Sequence, residues 1–516
     1  MRDIRRRAIV FLLLAGCASA QRGGSKPTAR IAKIEPSRGA LAQRIETALD
    51  STAASRNAFW GIQAVDLATN KTLYELNPNR YFVPASNTKL FSSALALTLL
   101  GPDLKFHTRI LADAAPDADG LVGGSLRLVA GGDPNLSARA IPYAKGPGGS
   151  DPLIAIEDLA TQVAAKGVKH VAGDIIGDDS YYVWQPYADG WSVQDPEGKD
   201  GAAVSAFSIN DNAFAITFLP GAATGDAAVL RLNPALPYYE IENRIRTIPA
   251  GGERRIHSDR LAGSLQLHVW GTIPLGDRGQ TIEFGIDDPA LYAAAALRQA
   301  LADRGITVDG EARAKHLLPE DVADLRRASA PPPIAGVELA DRESAPLLEC
   351  LRVTAKVSEN LHAEMMLRAV GRVRRNVGSR EAGLDELRTF LAAAGISADD
   401  YHLADGSGMA RLNLVTPSAV VRLLQHMYAS PQREDFLAIL PVGGEDGTLA
   451  SRFTGAAVTG RVHAKTGTLA HVSALSGYAQ RPDKSWVAFS ILVNNFNGAA
   501  GDVRKVMDEV CGFIME

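Results

Sequence analysis

The sequence predicts a mixed α+β protein whose middle, from about 103 to 335, is mainly β. Three observations carry this. Strand-like apolar runs, Ala58 to Leu67, Lys71 to Leu76, Ala474 to Ala479 and Trp486 to Asn494, lie towards the two ends of the chain. Helical patterns accompany them: Leu41 to Ser55, the all-round apolar Ser86 to Leu100, and the amphipathic stretches Ala345 to Ala355, Asn360 to Val370, Arg380 to Ala394, Pro417 to Tyr428 and Val503 to Val510. From about 103 to 335 the texture changes to short strand-like runs such as Ser264 to Trp270, separated by Gly, Pro and Asp clusters, with helices at Ala155 to Lys166 and Pro289 to Arg304. Ala330-Pro331-Pro332-Pro333 then makes a stiff break.

Composition bounds the rest. At roughly 100–200 residues per domain, 516 residues allow two to four domains. With 22% charged and 46% hydrophobic residues, 48 Gly and 27 Pro, the profile is that of an ordinary globular protein. Lys and Arg number 54 against 58 Asp and Glu, so no general basic field draws nucleic acid.

The N-terminus reads as an export signal. Arg2, Arg5, Arg6 and Arg7 precede the apolar run Ala8 to Gly16, which is too short to span a bilayer. Two processing sites compete: cleavage after Ala18-Ser19-Ala20, or a lipobox at Leu14-Ala15-Gly16-Cys17 with Cys17 lipidated. Either cut removes the net +3 of residues 1–16 and takes the formal charge from −4 to −7. Residues 1–20 are thus the expected signal and 21–40, rich in Gly, Pro, Ser and charge, the expected tether. Only Cys350 and Cys511 then remain; one bridge between them is conceivable, and two separate buried thiols are the plainer expectation.

Three short motifs can do chemistry. In Pro84-Ala85-Ser86-Asn87-Thr88-Lys89 a hydroxyl and an amine lie three residues apart, on one face of a buried helix at its positive end. A serine nucleophile with a lysine base needs that arrangement, and an apolar helix supplies the burial that lowers a lysine pKa. Taken alone, Ser86 could equally be a helix N-cap. Lys465-Thr466-Gly467-Thr468 follows strand-like Val462 to Ala464; there a cation and two hydroxyls can bind a carboxylate, and Gly467 admits a close backbone. Its plain reading is a turn between strands. Ser358-Glu359-Asn360 offers a hydroxyl and an amide, although Ser55–Asn57 and Ser208–Asn210 match S-x-N too and an N-cap at Ser358 is the default.

Together and in this order, S-x-x-K, S-x-N and K-T-G form the signature set of penicillin-binding proteins and class A β-lactamases. The runs VDLATNKTLYELNPNRYFVPASNTKL (65–90), VAGGDPNL (129–136), KVSENLHAEMMLR (356–368), DGSGMARLNLVTP (405–417) and AKTGTL (464–469) resemble the D-alanyl-D-alanine carboxypeptidase/endopeptidase family, peptidase S13, the class C penicillin-binding proteins of the fourth type. This resemblance implies a β-lactamase/transpeptidase-like catalytic domain made of residues 41–105 and 336–516, an antiparallel sheet flanked by helices and split by a large, mainly β insert. Residues 106–335 would be an accessory insert of two nested, small β-rich subdomains. It also implies that Ser86 is acylated, Lys89 is its base, Ser358 relays the proton, Asn360 holds the substrate amide and Lys465 supports the relay. Thr466, Gly467 and Thr468 would line the carboxylate site, with the N–H groups of Ser86 and Thr468 as oxyanion hole. Glu359 stands where the family usually has Asp. Asp178, in Gly177-Asp178-Asp179-Ser180, would meet the amine of the stem peptide's diamino acid, although a solvated turn carboxylate is the plainer expectation. Asp405 to Gly408 is expected near the cleft, also as a tight turn, and His362 as a partly exposed histidine.

The expected activity is a serine D-Ala-D-Ala carboxypeptidase with possible DD-endopeptidase action on peptidoglycan stem peptides, trapped by β-lactams, with no metal or other cofactor. The expected location is the periplasm, or a membrane facing it through a lipid on Cys17. A β-lactamase fits less well, because Lys465 follows Ser86 by 379 positions and no separate deacylating Glu is evident. A non-catalytic peptidoglycan binder on the same scaffold remains the alternative from another class. No G-x-S-x-G, H-E-x-x-H, C-x-x-C or G-x-G-x-x-G occurs.

Overall fold

Strands from the two ends of the chain meet in one sheet. In the computed structural model, which describes residues 39–516 apart from 147, 148, 150 and 262, five antiparallel strands run in the order Val462–Leu469, Val472–Gln480, Trp486–Asn494, Phe59–Asp66 and Thr72–Leu76. Register is set by pairs such as Ala64 with Phe489 and Lys465 with Ser476. Both faces are covered, so period-2 alternation sorts side chains between two cores instead of between core and water. Ile62, Ala64, Leu475, Phe489 and Ile491 pack with Ile45, Val506 and Val510 of the terminal helices Ala40–Leu49 and Ala500–Met515. Ala474, Tyr478, Ala488 and Leu492 face the other way, into the core that holds Leu90, Phe91 and Leu95 of the helix Thr88–Leu100.

The region between Leu100 and Leu347 builds its own sheets. A five-stranded mixed sheet is ordered Ala312–Leu317, Ile175–Val183, Leu126–Val129, His107–Ala112 and Val337–Glu343. Ile175–Val183 pairs in parallel on both sides, while the other pairings in this sheet are antiparallel. Three three-stranded sheets accompany it, one around Ala213–Leu219, one around Gln266–Pro274 and a short one of Leu121–Val122, His170–Val171 and Thr307–Val308. Helices Ile154–Ala165 and Pro289–Ala302 pack beside the mixed sheet. Past the Pro331–Pro333 run, strand Val337–Glu343 still pairs with His107–Ala112, and residues 39–516 form one compact unit.

Several expected elements differ locally. The expected helix Leu41 to Ser55 is two helices, Ala40–Leu49 and Ala53–Arg56, because Thr52 adopts extended backbone and its side chain caps the second through Ser55 N at 3.1 Å. Ala40 belongs to the first helix and not to the tether. The K-T-G residues lie within strand Val462–Leu469, not in a turn. Helix Arg433–Ile439 was not evident from the sequence pattern. The signal, its lipobox, Cys17 and tether residues 21–38 lie outside the described residues.

Cys350 and Cys511 are separate, buried free thiols, as expected, and burial pushes both well above the ordinary thiol range. Neither should react with an aromatic disulfide reagent in the native protein, and both should do so after denaturation. Labelling followed by peptide mass mapping checks this, and rapid native labelling of either would contradict it.

Candidate active site

Ser86 is placed by a strained turn. Ala85–Asn87 is a single 3-10 turn leading into the helix Thr88–Leu100, and Ala85 sits at φ 47, a left-handed conformation that costs an alanine about 1–3 kcal/mol. Two glycines hold it from outside. A Cβ on Gly408 would fall 1.9 Å from Ala85 O, and one on Gly467 would fall 2.8 Å from Pro84 O and 3.0 Å from Ser86 N. Only bare backbone fits at both places. Asn87 ties the turn to the K-T-G strand by donating from Nδ2 to Lys465 O at 2.9 Å.

The three motifs converge as two serine–lysine couples. Lys89 Nζ, wholly buried, donates to Ser86 Oγ at 3.0 Å, Asn360 Oδ1 at 2.6 Å and Ser407 O at 2.8 Å. Burial lowers its pKa to about 8 against the opposing pull of Asp405, Glu359, Glu364 and Asp200. Lys465 Nζ, equally buried, donates to Ser358 Oγ at 2.8 Å and Thr466 O at 2.9 Å. Burial, helped by the charge of Lys89, holds this second amine well below the usual lysine range. Ser358 has φ 68 and directly precedes Glu359, the N-cap of helix Asn360–Arg375. The other S-x-N matches lie elsewhere: Ser55 Oγ is spent on Leu49 O at 2.7 Å, and Ser208 is buried in the inserted region.

Sequence reasoning expected Asp405 to Gly408 near the cleft, as a tight turn, but missed the other groups that hold these couples in place. Asp405 is fully buried and accepts from Gly408 N, Ala410 N, Asn413 Nδ2 and Trp191 Nε1 at 2.6–3.0 Å, which fixes the turn whose Ser407 carbonyl meets Lys89. Glu364 Oε1 accepts from Gly406 N and Ser407 N at 2.8 and 2.9 Å, while its other oxygen takes Arg368 at 3.0 Å, both side chains being out of water. Breaking such a buried pair costs about 3–5 kcal/mol. The inserted region contributes as well. Asp200 O accepts from Asn360 Nδ2 at 2.9 Å, and Asp211 takes both arms of Arg139 and lies 3.1 Å from His362 Nε2. Asp211 is the middle of three successive left-handed residues, Asn210 to Asn212, the residue types that best tolerate that conformation.

Two expectations need correction. His362 is not partly exposed but fully buried, because helix Asn360–Arg375 turns it against the Asp211 carboxylate. Asp178 is no solvated turn carboxylate; it sits unexposed in strand Ile175–Val183, bound by Ser180 N at 3.1 Å and Lys315 Nζ at 2.8 Å. None of its partners belongs to the three motifs, and a substrate amine would have to displace Lys315 to reach it.

Beside the couples, a cavity of about 470 Å³ is lined by Thr448, Thr466, Gly467, Thr468 and Arg504 among others. Thr466 and Thr468 share a strand face by period 2. Thr466 Oγ1 donates to Thr448 Oγ1 at 2.8 Å, and Thr468 Oγ1 accepts from Arg504 Nη2 at 3.3 Å.

Penicillin binding protein 4 of Haemophilus influenzae has the same fold: its crystal structure matches with a TM-score of 0.75 at 22% identity, covering 92% of this chain and 98% of that one. A second structure of that protein holds a β-lactam. The class is therefore a β-lactamase/transpeptidase-like fold carrying serine–lysine couples. A family model for the D-Ala-D-Ala carboxypeptidase 3 (S13) family matches residues 41–513. The D-alanyl-D-alanine carboxypeptidase of Actinomadura sp. strain R39 is 35% identical over 470 residues, 89% of this chain and 82% of the relative. The D-alanyl-D-alanine carboxypeptidase DacB of Haemophilus influenzae is 24% identical over 449 residues, 86% and 87% of the two chains. This chain belongs to the D-Ala-D-Ala carboxypeptidase (S13) family.

Because backbone packs directly on Gly467, Gly467→Ala should push the Ser86 turn away from its strand. Acylation of Ser86 by a fluorescent penicillin should slow by about a hundredfold, the scale set by misplacing a reacting group by an ångström. An unchanged acylation rate in stopped-flow labelling would contradict the close packing.

Proposed function

We propose that this protein is an exported serine-type D-Ala-D-Ala carboxypeptidase that acts on peptidoglycan stem peptides through an acyl-enzyme on Ser86, with DD-endopeptidase action on cross-bridges. The observation that carries the assignment is the 3.0 Å hydrogen bond from Lys89 Nζ, a buried amine with its pKa lowered to about 8, to Ser86 Oγ. Neutral Lys89 takes the serine proton as Oγ attacks the carbonyl of the penultimate D-alanine. The N–H groups of Ser86 and Thr468 face the oxygen on which negative charge develops. Ser358, hydrogen-bonded to Lys465, relays the proton taken by Lys89 to the leaving nitrogen, the C–N bond breaks and D-alanine departs with its carboxylate at Thr466 and Thr468. Water then cleaves the ester. Asn360 positions the substrate amide while its own oxygen steadies Lys89. A β-lactam enters the same path, but its leaving nitrogen stays tethered to the acyl group, so the ester persists.

Export rests on the Arg-rich start and apolar run of residues 2–16, with the periplasm as the destination and lipidation at Cys17 as the anchored variant. Among the described residues no helix is long and apolar enough to cross a membrane.

A fluorescent penicillin should leave a long-lived adduct on Ser86, read by intact mass; Ser86→Ala and Lys89→Ala should leave none while melting like the wild type. Since only the neutral amine accepts a proton, the acylation rate should climb as pH rises through about 8 and fall tenfold per unit below it. No adduct on the wild-type protein would sink the assignment. Rapid turnover of the drug would favour a β-lactamase.

A further inference from the structure

The cavity beside the K-T-G strand carries three cations, Arg452, Arg504 and Lys505, and their surroundings differ. Arg452 is neutralised by Asp508, whose two oxygens lie 3.1 and 3.2 Å from Nε. Lys505 projects into water, its side chain 84% exposed, with Asp502 at 3.9 Å. Arg504 is half-buried, and among the described residues no carboxylate lies within 4.0 Å of it. Its one hydrogen-bond partner there is Thr468 Oγ1, at 3.3 Å. An unneutralised guanidinium thus stands against a hydroxyl on the face that Thr466 shares. It also projects from the first turns of helix Ala500–Met515, whose amide dipoles add positive potential on the same side.

From this arrangement we propose that Arg504 is the specificity-determining cation of the leaving-group site: with Thr468 and Thr466 it receives the carboxylate next to the bond being cleaved, and so selects substrates whose leaving residue bears one. The proposal rests on the carboxypeptidase reading and names the group that enforces it. A guanidinium suits the task because two of its N–H groups match the two oxygens of a carboxylate. Room for the ligand exists, since the cavity of about 470 Å³ lies within the range of small-ligand sites. Arg504 acts on binding and orientation, whereas proton transfer stays with the two serine–lysine couples.

Benzylpenicillin and its methyl ester test this on the full mature chain, because they differ only in the carboxylate and need no stem peptide. The wild type should be acylated faster by the acid. In Arg504→Ala the second-order acylation rate with the acid should fall by about ten- to a hundredfold, the range for a hydrogen bond to a charged group. The rate with the ester should fall far less, so that the acid-to-ester ratio collapses. Arg504→Lys should recover part of the ratio, and Lys505→Ala, which removes a solvated charge one position on, should keep it. Equal losses on acid and ester in Arg504→Ala, or a matching collapse in Lys505→Ala, would overturn the assignment of Arg504. A wild type that forms an adduct with neither compound would instead overturn the carboxypeptidase reading itself.

Discussion

Lys89 Nζ is removed from water and meets three oxygens, a hydroxyl and two carbonyl-type acceptors, with no carboxylate among the described residues in direct contact. That choice of partners decides its chemistry. A carboxylate at hydrogen-bond distance would stabilise the ammonium and return its pKa towards the ordinary value, whereas neutral acceptors satisfy the donors while leaving the desolvation penalty in force. The acidic groups that oppose the shift act through space and leave the pKa lowered to about 8. The three oxygens come from three separate elements, the Ser86 turn, helix Asn360–Arg375 and the Asp405–Gly408 turn. The amine is therefore correctly seated only when the tertiary structure is complete.

Much of the surrounding structure serves those acceptors. Asp405 and the Glu364–Arg368 pair fix the turn that presents the Ser407 carbonyl, each through several hydrogen bonds in a dry environment where geometry is unforgiving. The region between Leu100 and Leu347 reaches the same helix, with the Asp200 carbonyl on Asn360 and Asp211 against His362 two residues further along. Although it builds its own sheets, it supplies part of the support for the S-x-N residues in addition to whatever it does for substrate access.

The sequence made the elements legible where periodicity was strong: strand Trp486–Asn494 and helices such as Pro417–Ala429 fall where the apolar pattern puts them. Motif spacing likewise located Ser86, Lys89, Ser358, Asn360 and Lys465, and the structure brings all five together. What stayed hidden depends on contacts across long stretches of chain. Nothing local marks Glu364 or Arg368 as buried, because charged residues on a helix ordinarily face water and only the pairing reverses that. His362 was misjudged for the same reason, its partner Asp211 lying 151 positions earlier. The left-handed Ala85 could not be foreseen either, since alanine avoids that region unless packing such as that on Gly408 and Gly467 imposes it.

The second couple adds a constraint that the first alone would not have. Lys465 is as deeply buried as Lys89, and each ammonium raises the cost of charging the other. Among the described residues no carboxylate is in hydrogen-bond contact with either amine, so burial and the charge of Lys89 keep the Lys465 pKa well below the usual lysine range while its Nζ holds the Ser358 hydroxyl. In the proposed reaction the substrate changes this balance, because its carboxylate enters beside Thr466 and Thr468 on the strand that carries Lys465. A negative charge there opposes the downward shift at Lys465 and favours the charged amine beside Ser358, the hydroxyl that relays the proton to the leaving nitrogen. Recognition of the free carboxylate and readiness for proton delivery are in this way the same electrostatic event.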